Sequence, residues 1–133
     1  MSPDLINLFD FEAEAAKKLD PGAWGYFSGG ANDELTVREN RLAWDRISLR
    51  YRTMVDVSHC TTATTALGTA IRFPALIAPT AMQKLAHPEG ELATARAAGA
   101  AGTILCVSTT ATTSLQEVRA AATGPTWFQL YLY

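Results

Sequence analysis

Apolar residues at Leu8, Phe11, Ala15 and Leu19 recur at three- and four-residue steps, with Glu12, Glu14, Lys17 and Lys18 on the opposite side, which predicts an amphipathic helix. Its acids precede its bases, as the helix dipole favours, and Glu14 and Lys18 stand at i,i+4 spacing. Asp20-Pro21-Gly22 is expected to stop it. A second short helix then carries Trp24, Tyr26 and Phe27 and ends at Ser28-Gly29-Gly30, where a glycine is expected in the left-handed conformation. Asn32 or Asp33 offers a cap for a third helix through Leu35, Leu42 and Ala43, so the chain reads as helical to about residue 48. Thr61 to Phe73 reads as a hairpin turning near Leu67-Gly68.

From Phe73 the texture changes to strand, helix, strand, helix, strand, an alternation that argues for parallel strands joined by crossover helices. Strand one is FPALIAP, and helix one is the alanine-rich EGELATARAAGA, stopped by Gly102. Strand two is TILCVS; helix two begins at Ser114, with Glu117 placed as in a capping box; strand three is TWFQLYLY. The expected organisation is a helical segment with a hairpin over 1–72 and an α/β part over 73–133.

Period two along strand three puts Trp127, Gln129, Tyr131 and Tyr133 on one face and Phe128, Leu130 and Leu132 on the other. A glutamine and two tyrosines turned inward need hydrogen-bond partners, which a ligand, one another or water can supply. In strand two, Ile104 and Cys106 lead to Ser108 on one face. Ligands of parallel α/β folds sit at the C-terminal ends of strands, so Ser108, Gln129 and Tyr131 are candidates to share one mouth. Three parallel strands closing on an apolar strand leave Phe128, Leu130 and Leu132 bare, and such a sheet calls for another polypeptide or a longer chain to cover it.

Composition narrows the function classes. The 133 residues are 48% hydrophobic and 18% charged, the proportions of one ordinary folded domain. Eleven basic against thirteen acidic side chains give a net charge of -2, so no basic stripe serves a nucleic acid or an anionic membrane. The N-terminus reaches Asp4 with no apolar run followed by small residues, which predicts neither a secretory signal nor a membrane span. The expected location is intracellular and cytoplasmic, with the peroxisome left open. Cys60 and Cys106 lack the spacing of a disulfide framework or a zinc site and read as reduced structural thiols, and no metal site is expected.

The stretch APTAMQKLAHPEGELATARAAGAAGT at Ala78 to Thr103, with Tyr26-Phe27-Ser28-Gly29-Gly30-Ala31 before it and FQLY at Phe128 to Tyr131 after it, resembles the FMN-dependent 2-hydroxy-acid oxidase family. That family includes glycolate oxidases, lactate oxidases and the flavocytochrome lactate dehydrogenases. The resemblance implies a TIM (β/α)8 barrel in which this chain supplies the N-terminal helical segment and the first three barrel strands. The residues by themselves predict only a parallel α/β sheet.

By resemblance, Pro79, Thr80 and Ala81 lie with their backbone against the flavin ring, and Ser108 and Gln129 hydrogen-bond its polar edge. Tyr26 matches a tyrosine that binds the substrate carboxylate, and Tyr131 one that hydrogen-bonds the substrate near the reacting carbon. Without the resemblance, Tyr26 beside Trp24 and Phe27 reads as core, and Ala78-Pro79 as a strand terminator. Family chemistry takes the α-hydrogen of an L-2-hydroxy acid as two electrons pass to FMN and then to oxygen or a cytochrome, leaving a 2-keto acid. The family's histidine base, its lysine and arginine and its phosphate loop match nothing in this chain. His87 is not the base, since HPEG occupies another place in the pattern, and His59 beside Cys60 reads as a surface pair. Where glycolate oxidases carry a tryptophan after the strand-two serine, this chain has Thr110, which implies room for a longer substrate.

The resemblance further implies a complementary C-terminal polypeptide completing the barrel and a homotetramer. A competing expectation is a truncated, non-catalytic α/β domain that binds a partner through its exposed third strand. On the enzyme reading, the 133 residues alone are inactive and do not hold FMN tightly. Flavin absorbance co-eluting with the isolated chain in gel filtration is the observation that contradicts this.

Overall fold

The computed structural model describes residues 5–132 and divides the chain into two units, Met1–Val55 and Asp56–Tyr133. The hairpin belongs to the second unit, so the units part ahead of it and not at residue 72. Arg72 N–H, at the exit of the hairpin, donates to the Gly102 carbonyl at 2.9 Å, which ties the hairpin to the α/β part.

The first unit holds α1 (Leu8–Lys18), α2 (Pro21–Ser28) and α3 (Leu35–Asp45). Asn7 caps α1 by accepting from Phe9 N–H (2.8 Å) and Asp10 N–H (3.2 Å), while the Asp10 carboxylate accepts from Asn7 N–H (3.0 Å). This reciprocal exchange satisfies donors that a helix start leaves open. Glu14 pairs with Lys17 at 2.6 Å, not with Lys18. Of the expected stripe, Leu8 and Phe11 are exposed while Ala15 and Leu19 are half-buried; Phe9, outside the stripe, lies under the Arg41 guanidinium at 3.9 Å from the ring centre.

Asp20 is the start of α2 more than the stop of α1. Its Oδ1 accepts from Gly22 N–H (2.9 Å) and Ala23 N–H (3.1 Å), and Pro21 takes the first helical position, where no N–H is needed. The end of α2 departs from expectation, because Gly29 is extended at φ -80°. Glycine is required there for close approach: a Cβ on Gly29 would meet the Gly25 carbonyl at 2.7 Å, and one on Gly30 would meet Val37 at 2.3 Å. The expected Asn32 or Asp33 cap of α3 is also absent. Asn32 and Glu34 are both left-handed, Glu34 precedes the helix, and its carboxylate turns back to Gly30 N–H at 3.0 Å.

In the second unit, β1 (Thr64–Ala66) and β2 (Thr69–Ile71) form the expected antiparallel hairpin. Leu67 and Gly68 both take positive φ, the two-residue turn whose twist matches paired strands. The expected first parallel strand is reduced to one bridge between Ile77 and Leu105. Pro74 and Pro79 have no N–H to give a ladder, and Ala75 N–H folds back onto the Phe73 carbonyl at 2.8 Å. A 3₁₀ turn (Gln83–Leu85) leads to α4 (Gly90–Ala101), then β3 (Leu105–Val107), α5 (Leu115–Ala121) and β4 (Thr126–Phe128), with β3 and β4 parallel. Gly102, left-handed at φ 76°, ends α4 as expected. Its N–H bonds back to Gly99, and Thr103 N–H reaches the Ala98 carbonyl, so the last turn closes on itself. Ser114 and Glu117 form the expected capping box of α5.

Ala95 and Ala98 of α4 pack on Leu105, Val107 and Val118 to form the core. Side chains this small let the helix lie close to the strand. Strand β4 stops at Phe128, short of the expected eight residues. Tyr133 lies outside the described residues. Phe128, Leu130 and Leu132 are exposed, as the apolar face read from the sequence predicts. Cys106 is half-buried in β3 and Cys60 is exposed, as its reading beside His59 as a surface pair expects; both thiols are free. No helix among the described residues is long and apolar enough to cross a membrane.

Two glycines on helices separate propensity from packing. A Cβ at Gly99 would meet Thr123 Oγ1 at 2.1 Å and Gly124 N at 2.9 Å, whereas one at Gly25 meets nothing within 4 Å. Gly99→Ala should destabilise by roughly 1–3 kcal/mol because overpacking outweighs helix propensity. Gly25→Ala should stabilise by up to ~1 kcal/mol. Denaturant midpoints measure both, and shifts of the same sign would contradict the packing argument.

Candidate functional site

The C-terminal ends of the parallel strands are gathered around Thr109. Gln129 N–H continues the β4 alignment by donating to the Val107 carbonyl at 2.8 Å. Beyond it the ladder passes to a side chain: Thr109 Oγ1 donates to the Gln129 carbonyl and accepts from Tyr131 N–H at 3.2 Å. Thr109 N–H meets Gln129 Oε1 at 3.3 Å. The segment of Gln129 and Tyr131 is thereby held beside the loop that follows β3, although Tyr131 stands past the strand. Strand periodicity therefore does not place it; the Thr109 hydroxyl does.

Ser108 is buried, and its Oγ accepts from Thr110 N–H at 3.2 Å and lies 3.2 Å from Thr110 Oγ1. Thr110 is exposed, and its carbonyl accepts from Met82 N–H at 3.2 Å, which brings the loop after Ile77, with Pro79, Thr80 and Ala81, to the same end of the strands. The Thr80 carbonyl in turn accepts from Gln83 Nε2 at 3.3 Å. Six of the seven candidate residues of the second unit thus stand on two tied loops and Gln129; the seventh, Tyr131, follows on the same segment. Tyr26 belongs to the first unit, half-exposed on α2 with its ring edge-on to Phe27 at 5.1 Å, so it is not the core residue its neighbours suggest.

The sequence reading missed Thr109 and a buried carboxylate. Glu91, 1% exposed in the first turn of α4, accepts from Thr112 N–H (2.8 Å), Gln83 N–H (3.3 Å) and the hydroxyls of Thr112 and Thr113 (both 2.8 Å to Oε2). Burial pushes its pKa up, but the hydrogen bonds from Thr112 and Thr113 outweigh it and hold the carboxyl at about 2. Two signals were available: an acid in the alanine-rich face of a helix, and the hydroxyl cluster Thr109-Thr110-Ala111-Thr112-Thr113 directly after a buried strand. His87 accepts Glu89 N–H at Nδ1 (3.2 Å), in keeping with a turn role. No group of three or more metal-ligating side chains occurs among the described residues. A cleft of about 540 Å³ lined by Phe9, Val37, Arg41 and Trp44 lies in the first unit and contains none of the candidate residues.

A profile of FMN-dependent dehydrogenases matches residues 15–133. The chain belongs to the FMN-dependent dehydrogenase family. It is 49% identical over 130 residues to glycolate oxidase 1 of Zea mays and, equally, to glycolate oxidase of Spinacia oleracea, covering 98% of this chain and 35% of each relative. Among solved structures it is similar to a mandelate oxidase with 3,3-difluoro-2-hydroxy-3-phenylpropionic acid. That match has a TM-score of 0.90 and 37% identity, and covers 96% of this chain and 38% of that one. A flavocytochrome b2 variant with pyruvate bound matches with TM-score 0.92 and 39% identity, covering 96% of this chain and 34% of that one. The chain thus spans about a third of the length of the FMN-dependent dehydrogenases it matches, and its mixed α/β structure follows these TIM-barrel FMN enzymes over part of their length.

The depressed pKa of Glu91 makes a signed prediction. A carboxyl whose ordinary value is 4.5 and whose folded value is about 2 contributes stability that is complete above 4.5 and is lost as pH falls toward 2. Melting temperatures taken from pH 6 to pH 2 should fall more steeply for the wild type than for Glu91→Gln. Parallel curves would show that the carboxylate is not held in its charged form.

Proposed function

We propose that this chain is the N-terminal part of an FMN-dependent (S)-2-hydroxy-acid oxidase, converting L-2-hydroxy acids to 2-keto acids within a complete (β/α)8 barrel. Residues 73–133 would supply the first three barrel strands. A complementary C-terminal polypeptide would bring the remaining strands, cover Phe128, Leu130 and Leu132, and carry the histidine base and phosphate site. Tetramer formation and an intracellular location go with the same reading. The observation that carries it is the convergence of Ser108, Thr110, Gln129 and the Pro79–Ala81 loop at the C-terminal end of parallel strands, where barrel enzymes keep their sites.

The donor set suits a flavin. With Oε1 engaged by Thr109 N–H, the Gln129 amide keeps its Nε2 donors for another acceptor, and the Ser108 hydroxyl, accepting from Thr110 N–H, has its proton to give when Thr110 Oγ1 is the donor of their hydroxyl pair. These donors match the carbonyl oxygens of an isoalloxazine ring. The Pro79, Thr80 and Ala81 backbone would lie along the ring, bent by the left-handed Met82 that follows it. Bound there, FMN supplies the electron acceptor for oxidation of the hydroxy acid. Tyr131 would donate its hydroxyl to the substrate oxygen whose charge changes, Tyr26 would bind the carboxylate, and Thr110 would leave room at the wall for a substrate longer than glycolate.

The full-length protein tests these roles. Tyr131→Phe should lower turnover roughly ten- to a thousandfold with a smaller change in KM, as an interaction made mainly in the transition state does. Gln129→Ala should weaken FMN retention and shift the flavin spectrum, and Thr110→Trp should move preference toward glycolate. A Tyr131→Phe protein that loses flavin but keeps full turnover per bound flavin would reverse the assignments. No oxidation of any 2-hydroxy acid by the flavin-loaded wild type would refute the activity.

A further inference from the structure

Glu91 touches none of the residues assigned to cofactor or substrate, yet its two oxygens hold both loops on which those residues stand. Oε1 accepts the backbone N–H of Gln83 and of Thr112, and Oε2 accepts the hydroxyls of Thr112 and Thr113. The Gln83 side chain extends the tie in both directions, giving Nε2 to the Thr80 carbonyl at 3.3 Å and accepting Thr94 Oγ1 of α4 at 2.6 Å. Between Thr80 and Gln83, Met82 is left-handed at φ 51°, a conformation uncommon for a non-glycine residue. Met82 N–H bonds the Thr110 carbonyl, so the bend is tied directly to the loop after β3.

We infer that Glu91 is a positioning residue: from the first turn of α4 it fixes the Pro79–Ala81 backbone and Thr110 in one arrangement and so sets the affinity for FMN without contacting it. A carboxylate suits this place because it is acceptor-only, with about four lone-pair directions, and every group aimed at it is a donor. Helix α4 packs on β3 through Ala95 and Ala98, so the anchor stands on a rigid element. The inference rests on the proposed function, since it needs the two loops to face the flavin.

The test uses the full-length protein and three readouts: amide exchange at Gln83 and Thr112, the Kd for FMN from titration of the apoprotein, and melting temperature. Glu91→Ala should speed exchange at both amides and raise the Kd roughly 10- to 100-fold, equivalent to losing one or two charge-assisted hydrogen bonds. Glu91→Gln keeps an acceptor for the two N–H groups and should restore most of the affinity. Gly99→Ala, on the same helix but facing Thr123 and Gly124, should lower the melting temperature with the Kd unchanged. If Glu91→Ala does not fold, Thr113→Val, which removes one bond to Oε2, carries the test with an expected rise of about threefold. A Kd within twofold of wild type in Glu91→Ala, or in Thr113→Val where that variant carries the test, would reduce Glu91 to a stabilising role and overturn the inference. So would unchanged exchange, or a Gly99→Ala protein that loses FMN equally. A wild type that takes up no FMN would refute the functional reading itself, and this inference with it, independently of any variant.

Discussion

Taking a carboxylate out of water costs several kcal/mol unless its lone pairs are filled, and Glu91 meets that condition by drawing donors from two loops that are far apart in sequence. The exchange works in both directions. The carboxylate stays charged despite burial, and the backbone groups of Gln83 and Thr112, which neither helix nor strand satisfies, obtain partners. The contact joins two segments at the C-terminal end of the strands: the turn that carries the left-handed Met82 and Gln83, whose side chain binds the Thr80 carbonyl, and the hydroxyl-rich segment after β3.

That hydroxyl-rich segment also governs how β4 ends. Thr109 takes over where the backbone ladder stops, so the chain leaves the strand without leaving the site. Regular pairing is short throughout this unit, because prolines at 74 and 79 remove donors on one side and a threonine hydroxyl replaces a carbonyl partner on the other. The resulting sheet is narrow and leaves Phe128, Leu130 and Leu132 uncovered, which fits a chain spanning about a third of the length of its relatives.

Much of the local structure was legible. Ser114 with Glu117, Gly102 at the end of α4 and Leu67-Gly68 in the hairpin all act within a few residues of themselves, so their chemistry is written in the local sequence. Errors came where one residue type has two physical uses. Gly29 and Gly30 serve by being small where the sequence suggests a left-handed turn; Asp20-Pro21-Gly22 does close α1, at Lys18, but Asp20 also starts the next helix, which the stop signal does not say. The apolar period of α1 marks the helix, but a pattern does not say whether anything packs on it.

The candidate site divides in the same way. Sequence by itself determined the helix, strand, helix, strand order after residue 89, the parallel direction of its strands and that Ser108 stands at a strand end, because period and turn chemistry are local. That Gln129 stands at one too was decided by the structure, which ends β4 at Phe128. Family resemblance added the flavin and the barrel, which no spacing in this chain implies. Only the tertiary structure showed that Thr109 is the junction of the strand ends and that Glu91 binds loops eight and twenty-one residues away from it. Hydrogen bonds between distant segments depend on where the backbone carries each donor in space, and a one-dimensional pattern holds no record of that.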